Sequence, residues 1–197
     1  MKRSMFLLAS LSYCFAAHAA GLGKPIKPGQ ALESARPVAL ANNDGKSVGC
    51  IGVDKAAIEP KKLVLRFTCV LPTSDHKNNQ YWFLKPAKVE NENELYFTIV
   101  NWKSEKCLGV DDGSPLPGRK LLQFECDNKA NQKWRWSSIK RGHRTALSIQ
   151  NYDRLCIGVD RSGVDRSGVD RGKPEQLVQE PCIAAPDQDW RPIPFRS

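Results

Sequence analysis

The chain has little histidine and no long apolar run, and each absence excludes a class of function. Among its 197 residues only His18, His76 and His143 carry an imidazole. Acid–base chemistry would therefore rest on carboxylate pairs, and no spacing singles out such a pair. There is no Gly-x-Ser-x-Gly, no His-Glu-x-x-His and no phosphate-cradling glycine loop, so an enzyme is not expected. The cysteines form no Cys-x-x-Cys pair, and with so few histidines a zinc site lacks ligands. No metal or cofactor is expected. No apolar stretch approaches the roughly 20 residues a membrane span requires. Nor does any segment of ten or more residues show an apolar period of 3.6, which argues against helices. The formal net charge is +9. The basic residues are scattered, with no five or six together, so no specific nucleic-acid partner is expected.

What is present begins with an export pattern. Lys2 and Arg3 precede the apolar run Met5 to Leu11, and Ala17-His18-Ala19 has the small-x-small form of a cleavage site. The sequence predicts a signal peptide over 1–19, a flexible leader over 20–36 and one folded domain over 37–197, secreted or periplasmic. Cys14 leaves with the signal. Cys50, Cys69, Cys107, Cys126, Cys156 and Cys182 remain. An even count in an exported chain reads as disulfides, although six cysteines allow 15 pairings.

Laying the chain on itself reveals three copies of one pattern. The first runs Cys50-Ile51-Gly52-Val53-Asp54, then Leu63 to Cys69, then Asn79-Gln80-Tyr81-Trp82. The second runs Cys107-Leu108-Gly109-Val110-Asp111, then Leu121 to Cys126, then Asn131-Gln132-Lys133-Trp134. The third runs Cys156-Ile157-Gly158-Val159-Asp160, then Leu177 to Cys182, then Asp187-Gln188-Asp189-Trp190. The third copy is lengthened by GVDRS-GVDRS-GVDRG from Gly158 to Gly172, read as a duplicated surface loop whose closure costs little. Ile51 and Val53 alternate with Gly52 and Asp54, the period of a half-buried strand. Val38–Ala41, Leu95–Val100 and Ala146–Gln150 are further strands upstream of each first cysteine. Short strands with frequent turns predict an all-β barrel or sandwich, and threefold repetition favours the barrel. The repeats span about 37–92, 93–143 and 144–197.

The Cys-(Ile/Leu)-x-Val start, the aromatic-x-Cys strand and the closing Gln-x-Trp, three times over, resemble the ricin-type β-trefoil lectin domain. The resemblance implies three four-stranded units about a pseudo-threefold axis with one disulfide inside each. Pairing within each repeat is also the only scheme that treats the three copies alike. It places Gln80, Trp82, Gln132, Trp134, Gln188 and Trp190 in structural roles, the indoles filling a shared core.

The resemblance also implies up to one shallow sugar site per repeat. Its elements are an Asp two positions after the first cysteine, an aromatic two before the second, and the Asn before Gln-x-Trp. Phe67 with Asn79, and Phe124 with Asn131, fit the last two positions in repeats one and two. Repeat three has Glu180 and Asp187 there, so it is expected to be silent. The Asp position is glycine throughout: Gly52, Gly109 and Gly158. Asp54 and Asp111 follow two residues later, roughly 6–7 Å along the strand. They either serve a displaced site or start the turn. The implied function is recognition of multivalent cell-surface glycans or glycoproteins. The alternative is a sugar-independent scaffold among other toxin subunits, because degenerate trefoils resemble the delivery subunits of cytolethal distending toxin.

Overall fold

The computed structural model describes residues 36–43, 48–70, 78–90, 92–161 and 174–195. The expected signal peptide, nearly all of the expected leader and most of the tandem pentads lie outside these residues. Twelve strands carry the fold: β1 (Val38–Asn43), β2 (Val48–Val53), β3 (Lys62–Thr68), β4 (Tyr81–Ala87), β5 (Tyr96–Asn101) and β6 (Cys107–Val110). They continue with β7 (Leu121–Phe124), β8 (Trp134–Arg141), β9 (Arg144–Asn151), β10 (Cys156–Val159), β11 (Glu175–Glu180) and β12 (Trp190–Pro194). Among the described residues the only helical segments are four single 3-10 turns. The three upstream strand candidates are β1, β5 and β9.

Every fourth strand plays the same part. Strands β1, β4, β5, β8, β9 and β12 wall a barrel. The pairings run β12–β1–β4–β5–β8–β9, and β12 packs back against β9. The hairpins β2–β3, β6–β7 and β10–β11 close one end. They meet one another through β3–β7, β3–β11 and the bridge Lys120–Val178. The result is a β-trefoil, with β1–β4, β5–β8 and β9–β12 as its three units.

The alternation read from the sequence explains the core. Ile51, Val53, Leu108, Val110, Ile157 and Val159 point inward and join Trp82, Trp134 and Trp190, each of the three indoles fully buried. A buried indole N–H needs an acceptor, and each repeat supplies the same one. Trp82 donates to the carbonyl of Ile51 (2.9 Å), Trp134 to Leu108 (3.0 Å) and Trp190 to Ile157 (2.9 Å). The Gln of each Gln-x-Trp is buried and clamps the backbone on both sides of the second cysteine. Gln80 donates to Thr68 O and accepts from Val70 N. Gln132 does the same with Glu125 and Asp127, and Gln188 with Pro181 and Ile183. Disulfides join Cys50 to Cys69, Cys107 to Cys126 and Cys156 to Cys182, one in each unit. In the chain-entropy view each contributes about 3 kcal/mol by restricting the unfolded chain.

A second set of clamps, outside the repeated Cys and Gln-x-Trp pattern, ties each unit to its neighbour. Three residues before the second cysteine stand Arg66, Gln123 and Gln179, all buried. Gln123 donates to the carbonyls of Ala57 and Glu59 in unit one, and Gln179 to Ser114 and Leu116 in unit two. Arg66 instead bonds Asn42 Oδ1 (2.7 Å) and pairs with Glu175 at the base of the lengthened hairpin of unit three.

Truncation of one indole removes both core volume and its hydrogen bond. Trp134→Ala is expected to cost about 3–5 kcal/mol, read from the urea midpoint of the oxidised protein. A variant with the parental midpoint would show that the indole is not part of the core.

Candidate functional site

The residues expected to meet a sugar lie at the mouth of each hairpin, and units one and two build them alike. Asn79 Nδ2 donates to Val53 O (2.7 Å), and Asn131 Nδ2 to Val110 O (2.9 Å). One amide hydrogen is therefore spent holding the end of the strand. In unit three the Asp at this place has no hydrogen to give, so it works in reverse: Asp187 Oδ2 accepts from Val159 N (3.2 Å).

Asp54 and Asp111 both start a 3-10 turn, and the strand alternation that would carry them onto the face of Gly52 and Gly109 ends at Val53 and Val110. The backbone makes the turn, since Ala57 N donates to Asp54 O and Ser114 N to Asp111 O. Among the described residues the two carboxylates take no hydrogen bond or ion pair. Starting the turn and facing a ligand are thus compatible. The turn of unit two folds over the amide: a Cβ at Gly113 (φ +61°) would lie 3.7 Å from Asn131 Cβ.

At the Asp position of units one and two a side chain would be crowded. Across the β2–β3 pair, the half-buried Phe67 ring leans onto Gly52, where a Cβ would sit 3.0 Å from Cδ2 and 3.0 Å from Gln80 Cγ. Phe124 lies over Gly109 in the same way, at 2.9 Å. No side chain fits beneath these rings unless they move. Unit three has no ring there, and a Cβ at Gly158 would meet nothing closer than 3.6 Å. In units one and two the ring and the Gln-x-Trp glutamine both lie close to the glycine.

Unit three gathers acid instead. Burial, followed by the charges of Asp160 and Asp187, pushes the Glu180 carboxyl above its usual range. Arg161 Nε lies 3.7 Å from Asp187 Oδ2. This arrangement offers no aromatic face to a pyranose. Among the described residues no cluster of His, Cys, Asp and Glu is disposed to hold a metal ion.

These features define a β-trefoil. Residues 78–170 match the family model described as ricin-type beta-trefoil lectin domain-like. No curated protein matches the sequence. Among solved structures, an exo-β-1,3-galactanase from Clostridium thermocellum aligns with TM-score 0.60 at 20% identity over 81% of this chain. This chain spans only 30% of the galactanase's length. The cytolethal distending toxin of Haemophilus ducreyi aligns with TM-score 0.58 at 17% identity, over 91% of this chain and 93% of that one. A Polyporus squamosus lectin, solved with the epitope Neu5Aca2-6Galb1-4GlcNAc, aligns with TM-score 0.54 at 14% identity, over 80% and 48%. At these identities the solved structures speak to the fold alone. That fold is one used by carbohydrate-binding domains and by toxin subunits.

Two outcomes follow from the geometry. Gly109→Ala should destabilise by about 1–3 kcal/mol by displacing the Phe124 ring. Gly158→Ala should be neutral or stabilise by up to about 1 kcal/mol through the unfolded chain. Equal midpoints in denaturant for the two variants would remove the steric account of the glycines. Secondly, a carboxyl whose folded pKa is raised opposes folding once it ionises, and this cost disappears as pH falls through the folded pKa. Glu180→Gln should therefore raise the melting temperature at pH 7. The difference should close below about pH 4, where the carboxyl is protonated in both states. A gain that persisted unchanged at low pH would refute the electrostatic cause.

Proposed function

We propose that this chain binds clustered cell-surface glycans through two shallow sites, Phe67–Asn79–Asp54 in unit one and Phe124–Asn131–Asp111 in unit two. The observation that carries the reading is duplication. Two copies that differ elsewhere keep the same supported ring, the same anchored amide and the same unpaired carboxylate. A pyranose presents C–H groups to an aromatic face, and its hydroxyl rim meets amides and carboxylates. The lectin family model over 78–170 supports the same ligand class. The role is binding and not catalysis, and the partners are glycans or glycoproteins. Three disulfides suit an oxidising compartment, and with the signal reading of 1–19 they support a secreted or periplasmic protein. No helix among the described residues is long and apolar enough to cross a membrane.

Each site lacks the family's strongest acceptor, a loss of roughly 1.5–3 kcal/mol for a charged hydrogen bond. Single sites are then weak, and useful binding needs both sites on one branched or clustered glycan. A second reading, a delivery subunit within a toxin assembly, draws on the near full-length match in both directions to the Haemophilus ducreyi toxin chain.

The test is binding to asialofetuin-coated surfaces and to cells. The parent should bind, free galactose should compete poorly, and Phe67→Ala/Phe124→Ala should lose at least about tenfold in apparent affinity while remaining folded at the assay temperature. If the double variant binds cells as the parent does, the paired sugar sites fail and the subunit reading takes their place.

A further inference from the structure

The internal symmetry of the trefoil gives one strand connection an equivalent to be judged against. The β4–β5 and β8–β9 connections lie at the end of the barrel opposite the capping hairpins. The step from Trp82 to Ala87 equals that from Trp134 to Ile139, so the two connections occupy equivalent places. Pairing of β4 with β5 stops at Ala87 opposite Tyr96. Pairing of β8 with β9 passes the equivalent Ile139 opposite Ala146, then adds Lys140 opposite Thr145 and Arg141 opposite Arg144. The chain reverses through Gly142 and His143, with Gly142 at φ +57°. A two-residue turn with positive φ at its first position matches the twist of the strands it joins. The extension is therefore an ordered, projecting ribbon.

The added residues are the basic ones. Lys140, Arg141, His143 and Arg144 are all exposed, and among the described residues none of them meets a carboxylate. The equivalent β4–β5 connection carries Glu90, Glu92 and Glu94. There Glu92 pairs with Arg154, and Glu94 with Arg135 and Arg154. One connection is acidic and answered by cations, the other basic and unanswered.

The ribbon also sets two like charges face to face. Directly opposed residues of an antiparallel pair have Cβ atoms about 4.5–5.5 Å apart, and like charges at such a pair are destabilising. Arg141 and Arg144 stand in that relation. An oxyanion between them removes the repulsion and takes charge-assisted hydrogen bonds from both guanidinium groups. Strand alternation sends Lys140 to the other face, so the tip offers cations on both sides.

We propose that the β8–β9 tip binds a sulfated polysaccharide, with Arg141 and Arg144 holding one sulfate and Lys140 and His143 meeting charges further along the same polymer. The site shares no residue with the two sugar sites proposed above. Other polyanions are served less well. A bilayer contact combines cations with apolar side chains that enter the interface, and the segment Lys140 to Thr145 has none. Single-stranded nucleic acid stacks its bases on aromatic rings, and the same segment has no Phe, Tyr or Trp. The three disulfides suit an oxidising compartment, away from the anionic cytoplasmic leaflet.

The probe is immobilised heparin, read by surface plasmon resonance at about 0.15 M salt, with hyaluronan, duplex DNA and phosphatidylserine vesicles as comparators. The parent should bind heparin, and should bind hyaluronan, which carries carboxylates but no sulfate, at least about tenfold more weakly. Lys140→Gln/Arg141→Gln/Arg144→Gln should lose at least about tenfold in affinity for heparin. Lys88→Gln/Lys103→Gln/Arg119→Gln removes the same formal charge from exposed positions elsewhere and should lose less than about threefold. Arg141→Glu separates binding from folding: it places opposite charges across the ribbon, so it should melt no lower than the parent and still lose heparin. Phe67→Ala/Phe124→Ala should bind heparin as the parent does, so this site and the sugar sites stand or fall separately. No binding of heparin by the parent, a tip variant that binds as the parent does, or equal losses in the two triple variants overturns the proposal. Hyaluronan, duplex DNA or vesicles bound as tightly as heparin would overturn the sulfated polysaccharide as partner.

Discussion

A buried indole carries a polar hydrogen, and an unmet donor in an apolar interior costs about as much as the burial of a small side chain contributes. Each unit here resolves that conflict identically, by giving the tryptophan N–H to the carbonyl one residue after the first cysteine. This bond ties the last barrel strand of a unit to its capping hairpin. The glutamine two residues earlier then clamps the segment around the second cysteine, and the disulfide links that segment to the hairpin's start. The barrel, the cap and the hairpin mouths all depend on this threefold arrangement.

The hairpin mouths inherit their geometry from it. In units one and two the clamping glutamine and the ring of Phe67 or Phe124 both lie close over the glycine. In this chain a ring lies where a side chain at Gly52 or Gly109 would stand. Unit three, without a ring, shows the alternative: room above Gly158, and a Glu180 carboxyl whose ionisation is opposed by burial and by the charges of Asp160 and Asp187.

Much of this was legible in the residues. Glycine, cysteine and tryptophan recur in register, and the alternation of Ile51 and Val53 marks which face is buried. Asp54 was harder to read, because alternation holds only while the strand lasts, and the strand ends one residue before it. Arg66, Gln123 and Gln179 carried a weak signal, a polar residue within an otherwise apolar strand beside the second cysteine. Their partners across the units, Glu175 for Arg66, Ala57 and Glu59 for Gln123, and Ser114 and Leu116 for Gln179, lie in the neighbouring unit's hairpin, and no motif within one repeat points there.

By itself the sequence determined the repeat, the β class, the buried indoles and the candidates at each hairpin mouth. These follow from local periodicity and from residue types whose burial or pairing is obligatory. Only the tertiary structure decided that a ring lies over the glycine at the family's acidic position, and that one unit grips the next through a buried polar side chain. Each of those depends on side chains from different strands or different units meeting in space. Their distances are set by packing, which the order of residues along the chain does not record.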